Sequence, residues 1–124
     1  MRVLLVDDEV DLASALAERL DLRGIEADWV TTAQAALEKA DANDYDLAVL
    51  DVKMPKVGGL ELREKLHRLY PQMKFIFMTG YGSELEYKEA DCKEGESCYL
   101  VKPVDIQDLI QRMKELLGHG GGDA

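Results

Sequence analysis

Four short polar clusters interrupt the apolar runs of this chain. "LLVDDE" (4–9) ends in three acids, "VLDVKMP" (49–55) carries Asp51, "FMTGYG" (77–82) carries Thr79, and "YLVKP" (99–103) carries Lys102. Adjacent carboxylates repel, and burying one without a partner is costly. If Asp7, Asp8 and Asp51 come together they need a cation, and hard oxygen ligands suit Mg²⁺. That ion keeps several waters, takes one or two carboxylates and leaves room for phosphate oxygens. Lys102 would add a second positive charge from the opposite side, and Thr79 a hydroxyl donor. Such a set suits a phosphoryl group, whose charge is spread over three equatorial oxygens during transfer. An aspartate is a competent nucleophile for it and forms an aspartyl-phosphate.

Taken singly, each residue has a plain structural reading. Asp8 or Glu9 could cap a helix or sit in its first turn. Asp51 could be a turn acid before Pro55 and Gly58-Gly59, Thr79 a strand-end hydroxyl, and Lys102 a surface lysine. The chemistry depends on the elements that carry them. Strands are expected at 2–6, 26–30, 46–50, 74–78 and 98–101. The first, third and fourth are nearly continuous apolar runs, as in central parallel strands covered on both faces; the second is mixed and suits an edge.

Helices are expected between them. Residues 10–22 carry Leu12, Leu16 and Leu20 at helical spacing, and 59–69 carry Leu62, Leu66 and Leu69. For 32–42, Thr31 with Gln34 fits a capping box. The segment 84–93 has an N-terminal box in Ser83 and Glu86, but only Leu85, Tyr87, Ala90 and Cys92 to anchor it. Residues 105–117 carry a full apolar stripe from Ile106 to Leu117, with Gly118 as the stop. The pattern predicts an α/β fold of the flavodoxin-like, doubly wound kind: a five-stranded parallel sheet, order 2-1-3-4-5, flanked by five helices. In that order strands 1 and 3 are neighbours. Asp7, Asp8 and Asp51 then meet at the topological switch point, on the carboxyl edge where ligands bind. Glu9 reads as a first-turn helix acid outside the site.

The 124 residues suit one domain, with 118–124 as a Gly-rich tail or the start of a linker. Net charge is −10, from 15 basic and 25 acidic residues, the wrong balance for direct nucleic-acid binding. No window is apolar for long enough to insert in a membrane, and "MRVLLV" lacks a signal-peptide core, so a cytoplasmic protein is expected. Cys92 and Cys98 read as reduced, small, at least half-buried side chains rather than a redox pair. His67 and His119 show no zinc-ligand spacing with them.

Together "VDDE", "LDVKMPKVGG", "MTGYG" and "YLVKP" resemble the response-regulator receiver domain of two-component signalling, over residues 1–117. The resemblance implies that Asp51 is the phosphoacceptor. Asp7, Asp8 and Asp51, with the backbone carbonyl of Lys53, match the Mg²⁺ site. Thr79 matches the switch hydroxyl, Lys102 the lysine that pairs with the phosphoryl group, and Tyr99 the aromatic that turns inward. Gly80 keeps the approach open, and the Lys102–Pro103 bond is expected to be cis. Lys53 and Tyr81 match positions that flank the hydrolytic water and would tune phosphoryl lifetime. The implied partners are a sensor histidine kinase or phosphotransfer protein, and a downstream effector domain or protein. The implied signalling face is made of the 84–93 helix, strand 5 and the 105–117 helix, and it allows a homodimer. The chain would be a phosphoacceptor, not an enzyme, assisting its own phosphorylation and dephosphorylation.

The segment 83–98 is more acidic and polar than is usual in that family, so a marginally packed helix is expected there. Three other readings are weaker. A haloacid-dehalogenase-like phosphatase needs a second aspartate where Lys53 stands. A flavin binder needs a hydroxyl- and glycine-rich loop where Asp7, Asp8 and Glu9 stand. A pure interaction module with a dead site would not need the complete set.

Overall fold

The computed structural model describes residues 1–54, 56–80 and 97–122. The strands are β1 (Arg2–Val6), β2 (Glu26–Val30), β3 (Leu47–Asp51), β4 (Lys74–Thr79) and β5 (Ser97–Val101). The helices are α1 (Val10–Leu22), α2 (Ala33–Ala42), α3 (Gly59–Leu69) and α4 (Ile106–Gly122). All strands are parallel, in the order β2-β1-β3-β4-β5. The helix expected at 84–93, Tyr81, Cys92 and Pro55 lie outside the described residues.

The two-residue period of a strand sorts its side chains between two cores. Val3, Leu5, Leu47, Val49, Ile76, Met78 and Leu100 face Leu16, Ala17 and Leu20 of α1 and Leu109, Met113 and Leu116 of α4. Leu4, Val6, Ala48, Leu50, Phe75 and Phe77 face Ala33, Ala36 and Ala40 of α2 and Leu62 and Leu66 of α3. The central strands are therefore clamped on both sides, and their carboxyl ends emerge from fixed positions.

Four boundaries differ from the sequence expectation in ways that matter. β3 and β4 run one residue further, so Asp51 and Thr79 are the last residues of their strands rather than the first beyond them. α4 does not stop at Gly118 but continues to Gly122. Glycine disfavours a helix by only about 1 kcal/mol per residue, and extending an existing helix needs no new nucleus. The cap of α2 is Thr32, not Thr31. Thr32 is extended (φ −138°, ψ 158°) and its hydroxyl accepts from the Ala35 N–H at 3.0 Å. Ala35 is then the third helical residue, so the reciprocal half of a capping box cannot form. Gln34 instead donates to Glu38 one turn on. Thr32→Ala is expected to lower stability by about 1 kcal/mol, read from urea denaturation.

α1 ends on Gly24, whose φ of +83° a side chain would oppose. The N–H of Ile25 donates to the Leu20 carbonyl and that of Gly24 to Asp21, a Schellman closure that delivers the chain to β2. At the opposite edge of the sheet from the polar clusters, Tyr45 donates its hydroxyl to Asp28 at 2.6 Å, with the Arg2 guanidinium over its ring. Burial, then the Asp28 bond and charge, hold the phenol above its ordinary pKa of 10.0. That bond stabilises the fold below pH 10 and fades as the pH rises beyond it. Tyr45→Phe should therefore cost about 1 kcal/mol at pH 7 and progressively less in alkali, again by denaturant titration.

Candidate functional site

β1 delivers Asp7 to the carboxyl edge fully buried, with its N–H donating to the Val30 carbonyl at 3.2 Å. β3 delivers Asp51, 5 % exposed, beside it. The two acids share one local device. Asp7 Oδ1 accepts from the Glu9 N–H at 2.9 Å, and Asp51 Oδ1 accepts from the Lys53 N–H at 3.2 Å. An aspartate bonding the backbone two residues on is a turn that fixes its own side chain. In both cases the second oxygen is left to face the site.

Both second oxygens face Lys102. Its Nζ lies 3.0 Å from Asp7 Oδ2 and 3.3 Å from Asp51 Oδ2. Lys102 itself is tied to β4 by its N–H, which donates to the Thr79 carbonyl at 2.7 Å, and the Lys102–Pro103 peptide is cis. Apart from that ammonium, the buried Asp7 Oδ2 has no hydrogen bond of good geometry. One cation thus serves two buried anions. Burial and the charge of Asp7 push the Asp51 carboxyl up from 3.8 to about 6, against the pull of Lys102. Burial alone would lower the Lys102 ammonium, but the bonds and charges of Asp7 and Asp51 prevail and hold it above its usual value. The lysine stays charged, and negative charge remains in excess.

Asp8, exposed at the rim, adds a third acid. Asp7, Asp8 and Asp51 each place one carboxylate oxygen within 4.8 Å of the others. An all-oxygen set with one buried oxygen lacking a good hydrogen bond fits a small hard divalent cation. Thr79 is buried at the end of β4, one residue beyond Met78, which pairs with Asp51 in the register. Tyr99 is half-buried on β5, its ring stacked on Phe77 at 4.9 Å. A cleft of about 510 Å³ opens over the group, with Asp51, Lys102, Asp8, Lys53, Gly80 and Pro103 in its lining. A Cβ on Gly80 would meet nothing within 4 Å, as befits a position facing that opening.

Two contributors were not apparent from the sequence. Glu9 is no mere helix acid: its carboxylate lies 3.5 Å from Lys102 Nζ and lines the same cleft. The signal was its place directly after the acidic pair, where the turn at Asp7 fixes its backbone. The second is the Gly58-Gly59 pair. A Cβ on Gly59 would collide with the backbone carbonyl of Asp51, and one on Gly58 would fall 2.9 Å from the Val52 oxygen. The start of α3 thus lies directly against the peptide of Asp51, and the Gly59 N–H donates to the Val52 carbonyl.

Residues 3–114 match the family model described as the response regulator receiver domain. The chain belongs to that family. Among its relatives, the sensory transduction protein RegX3 of Mycobacterium tuberculosis is 35 % identical over 121 residues, covering 98 % of this chain and 52 % of RegX3. A CheY-like receiver domain from Methanospirillum hungatei superposes with a TM-score of 0.84 at 36 % identity, covering 99 % of this chain and 98 % of that one. TrrA of Thermotoga maritima, solved in complex with Mg²⁺ and BeF, superposes at 0.78 with 31 % identity, covering 94 % of this chain and 98 % of that one. The chain spans about a third to a half of the length of the curated relatives it matches. It is therefore a receiver domain of two-component response regulators. No helix among the described residues of this receiver is long and apolar enough to cross a membrane.

Proposed function

We propose that this receiver takes a phosphoryl group onto Asp51 from a phosphohistidine of a sensor histidine kinase or phosphotransfer protein. The Asp51 carboxylate oxygen forms the new O–P bond, the P–N bond breaks, and the imidazole nitrogen leaves with the electron pair. The observation that carries this reading is the buried Asp51 carboxylate, 3.3 Å from Lys102 and opening into the cleft. Burial raises its free energy, and a fixed ammonium already waits for the incoming oxygens. Asp7, Asp8 and Asp51, with the backbone carbonyl of Lys53, would hold Mg²⁺, directly or through water, and bound there it neutralises charge on the phosphoryl oxygens. Thr79 would donate its hydroxyl to the phosphoryl group, Lys102 would pair with another of its oxygens, and Tyr99 would turn inward behind Thr79. Gly80 keeps the mouth free, while Lys53 and Tyr81 set how fast water removes the phosphoryl group from Asp51 as inorganic phosphate.

The domain is the acceptor of the reaction rather than a turnover enzyme. The new dianion shifts a two-state equilibrium read at residues 84–93, β5 and α4. Val101, exposed on β5, offers apolar contact there to a downstream effector domain, an effector protein or a second copy of the chain. The net charge of −10 argues against this domain touching nucleic acid directly. Residues 1–117 form the signalling unit, 118–124 its tail or the start of a linker, and the work is cytoplasmic. The test is incubation with a small phosphodonor, with Mg²⁺ or with chelator, followed by intact mass. A phosphoryl adduct that needs Mg²⁺ is expected; no adduct with metal and donor both verified would overturn the reading.

A further inference from the structure

We propose that Glu9 selects the phosphodonor, favouring donors whose scissile nitrogen is protonated and cationic over donors that leave as a carboxylate. The inference rests on Asp51 being the acceptor. Glu9 occupies the N-cap position of α1, yet its side chain makes no capping hydrogen bond. Its backbone is held at both ends: the N–H donates to Asp7 Oδ1 at 2.9 Å, and the carbonyl accepts from Ala13 N–H at 3.0 Å. The carboxylate is therefore carried by the same turn that places Asp7, and it is aimed at the cleft instead of the helix. It lies 3.5 Å from Lys102 Nζ while its side chain is 64 % exposed, which puts a negative charge at the solvent side of the cleft.

An in-line transfer sends the leaving group away from Asp51, into the cleft that Glu9 also lines. In phosphoramidate the nitrogen is protonated; as Asp51 forms its O–P bond, the P–N bond breaks and ammonia leaves with the electron pair. In acetyl phosphate the P–O bond breaks and acetate leaves carrying a full negative charge. A carboxylate several ångströms away attracts the nitrogen of the first donor, which stays partly cationic until the P–N bond is broken, and repels the acetate building up from the second. Across a water-exposed gap that Coulomb effect amounts to about threefold in rate, and added salt weakens it.

The test is the initial rate of phosphorylation with each donor, in Mg²⁺, for the wild type, Glu9→Gln and Glu64→Gln. Glu64 is exposed on α3 and controls for the same change in net charge. The expected result is a phosphoramidate-to-acetyl-phosphate rate ratio about threefold lower in Glu9→Gln, with the difference closing at high salt and Glu64→Gln keeping the wild-type ratio. An unchanged ratio in Glu9→Gln overturns the proposal, and so do two rates falling together, which would mark Glu9 as structural only. Failure of both donors to label the wild type overturns the acceptor reading itself and is seen before any variant is compared.

Discussion

In metal-free buffer at pH 7, Asp51→Asn should be more stable than the wild type by about 3 kcal/mol. Ionised Asp51 is unwelcome in its own fold, because burial and Asp7 raise its pKa from 3.8 to about 6. Each unit of that shift corresponds to about 1.4 kcal/mol. The sign follows from linkage. A carboxyl raised on folding stabilises fully only below its unfolded value, and that contribution is lost as the pH climbs through the folded one. The gap between variant and wild type should thus be near zero below pH 4, open between pH 4 and 6, and be complete at pH 7. Asparagine keeps an oxygen that can face Lys102, and Asp7 keeps its contact at 3.0 Å. Saturating Mg²⁺ should shrink the gap, because only the wild type presents all three carboxylates to it. Guanidinium denaturation in chelator and in Mg²⁺, at pH 4 and pH 7, measures all of this. Equal stabilities in chelator at pH 7 would mean that Asp51 is not held against its own preference.

Gly59→Ala should do the reverse, costing both stability and chemistry. The added Cβ would meet the Asp51 backbone oxygen well inside contact distance, and the carbonyl carbon at 2.9 Å. These are main-chain atoms of a strand buried on both faces, so no side chain can rotate away to relieve the clash. Either α3 lifts from Leu62 and Leu66, or the end of β3 moves. Overpacking of this kind costs about 1–3 kcal/mol. Displacing a reacting group by about 1 Å can cost about a hundredfold in rate. The control is Leu66→Ala, which removes a fully buried side chain of the same helix without touching Asp51. It should lose about 2–5 kcal/mol yet accept phosphoryl groups at near the wild-type rate. If Gly59→Ala and Leu66→Ala slow phosphorylation equally, the effect belongs to general destabilisation and not to the placement of Asp51.

The parts of this structure that were legible in the sequence are those set by hydrophobic pattern. β1, β3 and β4 read as central strands because "VLLV", "LAVL" and "FIFM" leave no solvent face. Once they are central and parallel, right-handed crossovers and the strand order bring Asp7, Asp8, Asp51, Thr79 and Lys102 to one edge. What was not legible depends on directions and contacts that no spacing rule encodes. The cap of α2 moved by one residue because the choice between Thr31 and Thr32 depends on which is the last extended residue. Gly59 read only as the first residue of the 59–69 helix, because its reason for being small is the carbonyl of Asp51, eight residues earlier in the chain. Glu9 looked like a helix acid because first-turn acids usually are. Only the side-chain direction reveals that it bypasses the helix and reaches Lys102.

The same site explains why a stable fold tolerates such crowding of charge. Two buried acids, one rim acid and one ammonium leave an excess of negative charge that one divalent cation, on the proposed reading, would offset. The direct measurement is peptide mass mapping of the protein after incubation with Mg²⁺ and phosphoramidate. A phosphoryl group is expected on the peptide bearing Asp51, lost with chelator and absent in Asp51→Asn. A phosphoryl group on any other residue, or one that persists in Asp51→Asn, would contradict it.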